Sequence, residues 1–133
     1  MIEQKCSNKL TTIFWALVGV FVVIISTMAL KVSVAPLMFI SWVVFFLLGL
    51  VLIILIVKKK VEGLQGWLKR FLLLTGISAA GFLVFVILHN AVYGLFGVEE
   101  SFFFILAVIV CPLVFLVGAT GTIVLLFKKR KRQ

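Results

Sequence analysis

The sequence predicts an all-α integral membrane protein, a four-helix bundle built from two antiparallel transmembrane hairpins. Three observations predict it. Apolar runs fill residues 10–30, 37–57, 71–95 and 102–127, and none contains Asp, Glu, Lys or Arg. Each run has about the 20 residues a helix needs to cross the ~30 Å hydrocarbon core. Hydrophobic residues make up 65% of the 133 positions, well above the ~45–50% typical of soluble domains. A single four-span domain accounts for nearly the whole chain, with the bilayer as its first partner.

Span one opens after Lys5 and Lys9, and span two ends at Lys58-Lys59-Lys60. Span three opens after Lys69-Arg70, and span four ends at Lys128-Lys129-Arg130-Lys131-Arg132. The turn at 31–36 carries Lys31, and the turn at 96–101 carries Glu99 and Glu100. Cations are retained on the cytoplasmic side of a membrane. The expectation is therefore a multi-pass protein of the plasma or inner membrane with cytoplasmic N- and C-termini. The net charge of +9 then serves retention and needs no nucleic acid. A cleaved signal peptide ending at Ser33-Val34-Ala35 is the rival reading of span one. Its apolar run of about 21 residues is longer than the ~7–15 of a signal core, and Pro36 would open the mature chain.

Both turns are short, so spans one and two form one hairpin and spans three and four another. The longer linker through Glu62 and Gly63 ends in Trp67-Leu68-Lys69-Arg70, an aromatic and basic anchor after a small amphipathic stretch.

Lipid is as apolar as leucine, so small residues that admit close backbone approach must supply packing. Thr12, Ala16, Gly19, Val23 and Ser26 form one stripe on span one. Gly76 and Ala80 mark span three, and Ala107, Cys111, Val114, Gly118 and Thr122 mark span four. The expectation is that spans one, three and four pack through these seams while much of bulky span two faces lipid or a partner. Pro112 removes an amide donor and clashes with the carbonyl of Val108, which predicts a kink.

Polar residues concentrate in one place: His89, Asn90 and Tyr93 near the end of span three, with Glu99 and Glu100 close by. Two readings compete. The cluster is a functional site, in which a carboxylate folds back onto His89. Alternatively, His89 and Asn90 cap backbone carbonyls and tie the turn to its helix while Tyr93 sits at the interface. No catalytic, metal-binding or cofactor-binding set is expected. One His with two carboxylates is a poor metal set, Cys6 and Cys111 are isolated thiols, and no HExxH or phosphate loop is present. No span carries the carboxylate expected of a proton-coupled exporter.

The stretch from Thr75-Gly76-Ile77-Ser78-Ala79-Ala80-Gly81 through Leu88-His89-Asn90-Ala91-Val92-Tyr93-Gly94-Leu95 to Phe102-Phe103-Phe104-Ile105-Leu106-Ala107-Val108-Ile109-Val110-Cys111-Pro112 resembles a set of short, uncharacterised prokaryotic multi-span membrane proteins. The resemblance covers roughly the second half and implies membrane integration without implying an activity. The functional expectation is a non-enzymatic accessory or scaffold subunit of a larger membrane complex. The alternative is a homo-oligomeric transporter or channel for a small solute or ion, its interior lined by His89, Thr75 and Ser78.

Overall fold

A computed structural model describes residues 2–31, 35–58 and 66–132, with side chains placed from Asn8 onward. The amphipathic part of the linker, the middle of the 31–36 turn and the side chains of Lys5 and Cys6 lie outside the described residues. Those residues form four helices: α1 (Ile2–Ala29), α2 (Ala35–Lys58), α3 (Gly66–Phe96) and α4 (Ser101–Lys131). All four are long and apolar enough to cross a membrane. The molecule is an all-α, four-span membrane bundle.

The helices outrun the apolar segments. α3 begins at Gly66 rather than at 71, and α4 continues through Lys128, Lys129, Arg130 and Lys131. Long cationic side chains keep their charge in water while their stems stay on the rod. Cations in the last turn of α2 (Lys58) and of α4 also complement the negative end of the helix dipole. At the start of α3 the guanidinium of Arg70 lies 5.2 Å from the centre of the Trp67 ring.

The 97–100 turn is built from two local devices. Gly97 adopts φ +64° and its amide donates to the Tyr93 carbonyl at 2.9 Å, the left-handed helix stop that glycine supplies without strain. Glu100 then caps α4, its carboxylate accepting from the amides of Phe102 and Phe103, both at 3.2 Å.

α3 is the central helix, packed between α2 and α4, and α1 lies along α2. α3 is approached closely on both sides, by α2 at Gly49 and by α4 at Gly118. A Cβ built on Gly49 would sit 2.9 Å from Ala79 Cβ, 3.0 Å from the Gly76 carbonyl oxygen and 3.1 Å from the Ala80 amide nitrogen. On the other side of α3, a Cβ on Gly118 would lie 2.6 Å from Thr75 Oγ1 and 2.9 Å from the Thr75 amide nitrogen. Ala80 and Thr122 are buried in the same seams. Low residue numbers on one helix meet high ones on the next, so neighbouring helices run antiparallel.

Span two therefore joins the close-packed seams, expected only among spans one, three and four, because Gly49 lets α3 approach its backbone. Much of its remaining surface, including Phe39, Leu47 and Ile54, stays exposed as expected. α1 departs from expectation in the opposite sense. Thr12, Ala16, Gly19, Val23 and Ser26 are all exposed, and nothing lies within 4 Å of a Cβ on Gly19. The buried face of α1 is its bulky one: Leu10, Phe14, Leu17 and Ile24, with Phe21 half-buried. A helix held at a wider separation is seated by large side chains that reach across the gap, and its small face is left outside.

At Pro112 the backbone carries a π-helical turn, Leu106–Val110, and the Cys111 amide donates to the Leu106 carbonyl five residues back. The extra residue places the ring after a widened turn. Such turns are a recognised way to disturb the helical ladder locally.

Candidate functional site

The polar cluster does not assemble into one site. His89 Nδ1 lies 2.9 Å from the backbone carbonyl of Glu100. A carbonyl only accepts, so Nδ1 carries the hydrogen in this bond. Asn90 donates through Nδ2 to the Val86 carbonyl at 2.8 Å. The carboxylate of Glu100 is committed to its cap, Glu99 is exposed, and Tyr93 is 54% exposed. His89 thus ties the turn to α3 through a backbone oxygen and not through a carboxylate. Among the described residues no group of three or more His, Cys, Asp or Glu is placed to hold a metal ion.

Several hydroxyls of the spans are also spent locally. Thr27, Ser41, Thr75, Ser78 and Thr122 each donate to a carbonyl three or four residues back on their own helix, at 2.8–2.9 Å. This satisfies the group inside the rod. Thr75 and Thr122 are fully buried within the chain's own interior.

His89 and Asn90 do share one feature, a cleft of about 650 Å³ at the end of the bundle where the 97–100 turn lies. That volume falls within the ~300–1,000 Å³ of small-molecule sites. The cleft separates the C-terminal half of α1 from α3 and α4. Its floor is a ring cluster with one phenylalanine from each helix. Phe21 stacks on Phe115 at 4.4 Å between centroids, Phe45 lies 5.3 Å from Phe115 and 6.1 Å from Phe21, and Phe82 lies 6.5 Å from Phe45. Such offset and edge contacts are preferred ring geometries.

The walls are apolar. Ile25 and Met28 of α1 and Phe104 and Val108 of α4 line the cleft, and each is 40–51% exposed, so the gap between these helices is open sideways. Polar groups are few: the Cys111 thiol and the Ser78 hydroxyl inside, and His89 and Asn90 toward the mouth. Trp42 stands edge-on to Phe82 at 5.7 Å, and its indole nitrogen is covered, with no hydrogen-bond partner among the described residues. The π-helical turn and Pro112 form part of the α4 wall. This arrangement accommodates an apolar body beside a sparse polar rim.

Sequence reasoning singled out His89, Asn90, Cys111, Pro112 and Ser78 but missed the four phenylalanines and Trp42 as one structure. The available signal was positional, since each of the four phenylalanines falls near the middle of its span.

Replacing His89 with alanine is expected to lower stability by about 1 kcal/mol, the scale of a side-chain hydrogen bond in a bilayer protein. Unfolding by SDS titration in mixed micelles measures it. His89→Gln, which restores a donor, should recover part of the loss.

No protein-family model, no curated protein and no solved structure matches this chain.

Proposed function

We propose that this chain is a non-enzymatic accessory subunit of a prokaryotic cell-membrane complex, and that it holds an apolar ligand for that complex in the cleft. The cleft carries the reading. Its surface is almost wholly apolar, and the Ser78 hydroxyl that lines it is already bonded to its own helix. A ligand is recognised there by shape and apolar contact. Both termini are cytoplasmic. The start of α1, the end of α2, the start of α3 and the end of α4 share one end of the bundle, and it bears Lys9, Lys58, Lys69, Arg70 and the Lys128–Arg132 run. Glu99 and Glu100 mark the other end, which faces outward together with the cleft mouth.

Of the residues the oligomeric transporter alternative would place along a shared pathway, Thr75 faces Gly118 inside the same chain. Ser78 and His89 line the cleft with their polar atoms bonded within the chain, which favours the ligand-holding subunit.

Photolabelling of the full-length protein in vesicles with a diazirine-bearing alkane tests the reading. Label is expected to concentrate on Met28 and Val108 and to be suppressed by excess unlabelled alkane. Ile54 and Val124, on outer faces and at least as exposed, serve as controls. Val108→Trp, at the exposed rim, should remove the saturable label while helix content is unchanged. Uniform labelling of all exposed apolar faces would overturn the ligand site. A chain that migrates alone on native gels of gently solubilised membranes would overturn the subunit role.

A further inference from the structure

The floor of the cleft lies at a definite depth. The spans run Asn8–Ala29, Ala35–Lys58, Gly66–Phe96 and Ser101–Lys131. Half the sum of each pair of end residues gives midpoints at positions 18.5, 46.5, 81 and 116. Phe21, Phe45, Phe82 and Phe115 each fall within three residues of these midpoints, or about 4 Å along a helix. The ring cluster is thus a plug at the middle of the bilayer.

From that plug the cleft rises toward one interface only. Phe82 to His89 is seven residues of α3, about 10 Å, and Phe104 to Phe115 is eleven residues of α4, about 16 Å. Half of a ~30 Å hydrocarbon core is about 15 Å. The cleft is one leaflet deep.

A hydrocarbon tail is thin enough to enter from the side: the gap between α1 and α4, flanked by the half-exposed Ile25, Met28, Phe104 and Val108, opens where the tails of one leaflet lie. An empty apolar cleft forfeits dispersion contacts along its walls, and a tail restores them. The polar side chains lie in the outer part of the cleft, about 10–12 Å above the floor and just below the head groups: His89, bonded to the Glu100 carbonyl, and Asn90.

We infer that the cleft seats one hydrocarbon tail of a membrane lipid from the leaflet at the 97–100 end. The tail enters sideways between α1 and α4, the head group rests just above His89 and Asn90, and the four-phenylalanine floor stops the tail's end. This rests on the reading of the cleft as a ligand site and adds the class of ligand and its orientation.

Two phosphatidylglycerol probes that differ only in where the diazirine sits on one tail test the inference, with the full-length protein in vesicles. The terminal-carbon probe is expected to label Phe45, Phe82 and Phe115, and the head-proximal probe to label the stretch around His89 and Phe104. With unlabelled phosphatidylglycerol at about ten times its dissociation constant, both signals should fall about tenfold by mass action, while label on outer-face Ile54 and Val124 persists. Phe115→Ala should let terminal label pass beyond the floor to Leu52 or Leu72. Phe45→Ala provides the same readout if that variant fails to fold.

Unsaturable label, or both probes marking the same depth, would overturn the inference. If the diazirine alkane labels the cleft saturably and the lipid probes do not, the ligand site stands and the seated lipid tail falls. If neither labels it, both fall.

Discussion

Gly118→Leu is expected to prevent assembly of the folded bundle, whereas Gly19→Leu is expected to leave it intact. At Gly118 a Cβ alone would come within 2.6 Å of Thr75 Oγ1, 2.9 Å of the Thr75 amide nitrogen and 3.0 Å of the Phe71 carbonyl oxygen. Two of these three atoms belong to backbone, so no rotamer change makes room and α3 must move away from α4. Inserting bulk into a packed seam typically costs 1–3 kcal/mol. Alanine alone is expected to cost about 2 kcal/mol here, offset only in part by the roughly 1 kcal/mol that alanine gains over glycine in helix propensity. Gly121 provides an internal comparison. Its Cβ would meet the ring of Phe71 at 2.5–2.7 Å, and a half-buried ring can swing, so Gly121→Ala should be milder. Folded yield in detergent and SDS-titration midpoints rank the four variants. A Gly118→Leu protein as stable as wild type would contradict the α3–α4 contact.

The second large effect belongs to Gly49. Its Cβ would press on Ala79 Cβ, the Gly76 carbonyl and the Ala80 amide at 2.9–3.1 Å. The reciprocal substitution is gentler, because a Cβ on Gly76 meets first the Ile53 side chain at 2.9 Å and only then the Gly49 carbonyl at 3.2 Å. Gly49→Ala should therefore destabilise by about 2 kcal/mol and Gly76→Ala by less. Gly49→Leu should part α2 from α3 and abolish folding. The order matters more than the sizes. If Gly76→Ala proves the more damaging, α2 and α3 meet at a different register.

The span count and the positions of the cations are legible because a charged side chain in hydrocarbon is costly wherever it lies. The seam residues Gly76, Ala80, Gly118 and Thr122 are legible because close approach admits few residue types. The inward face of α1 is not. Leu10, Phe14, Leu17, Phe21 and Ile24 repeat at steps of four and three, and so do Thr12, Ala16, Gly19, Val23 and Ser26. The two stripes are offset by two residues, about 200° around a helix, so they mark opposite sides. In water, polarity would decide between them. In lipid both sides are acceptable to the solvent, and the choice falls to how far α1 stands from its neighbour. The four-phenylalanine floor was hidden for a related reason, since no single helix contains more than one of its parts. His89 was half legible: a tie to the turn through a backbone carbonyl is one of the two readings its position offers, but that the carbonyl is that of Glu100 depends on how the chain reverses at Gly97.

The widened turn at Leu106–Val110 sets the rotational phase of α4. One additional residue amounts to about 100° of winding, so the helix presents differently phased sides above and below it. Below, Phe115, Gly118 and Thr122 turn inward. Above, Ala107 is buried and Phe103 stacks against Phe85, while Phe104 swings round to meet the His89 ring at 5.5 Å. A rod of uniform pitch would carry Phe104 and Val108 on into the α3 contact. The surplus residue turns both of them out to the rim, so a change of pitch in one helix opens the hollow.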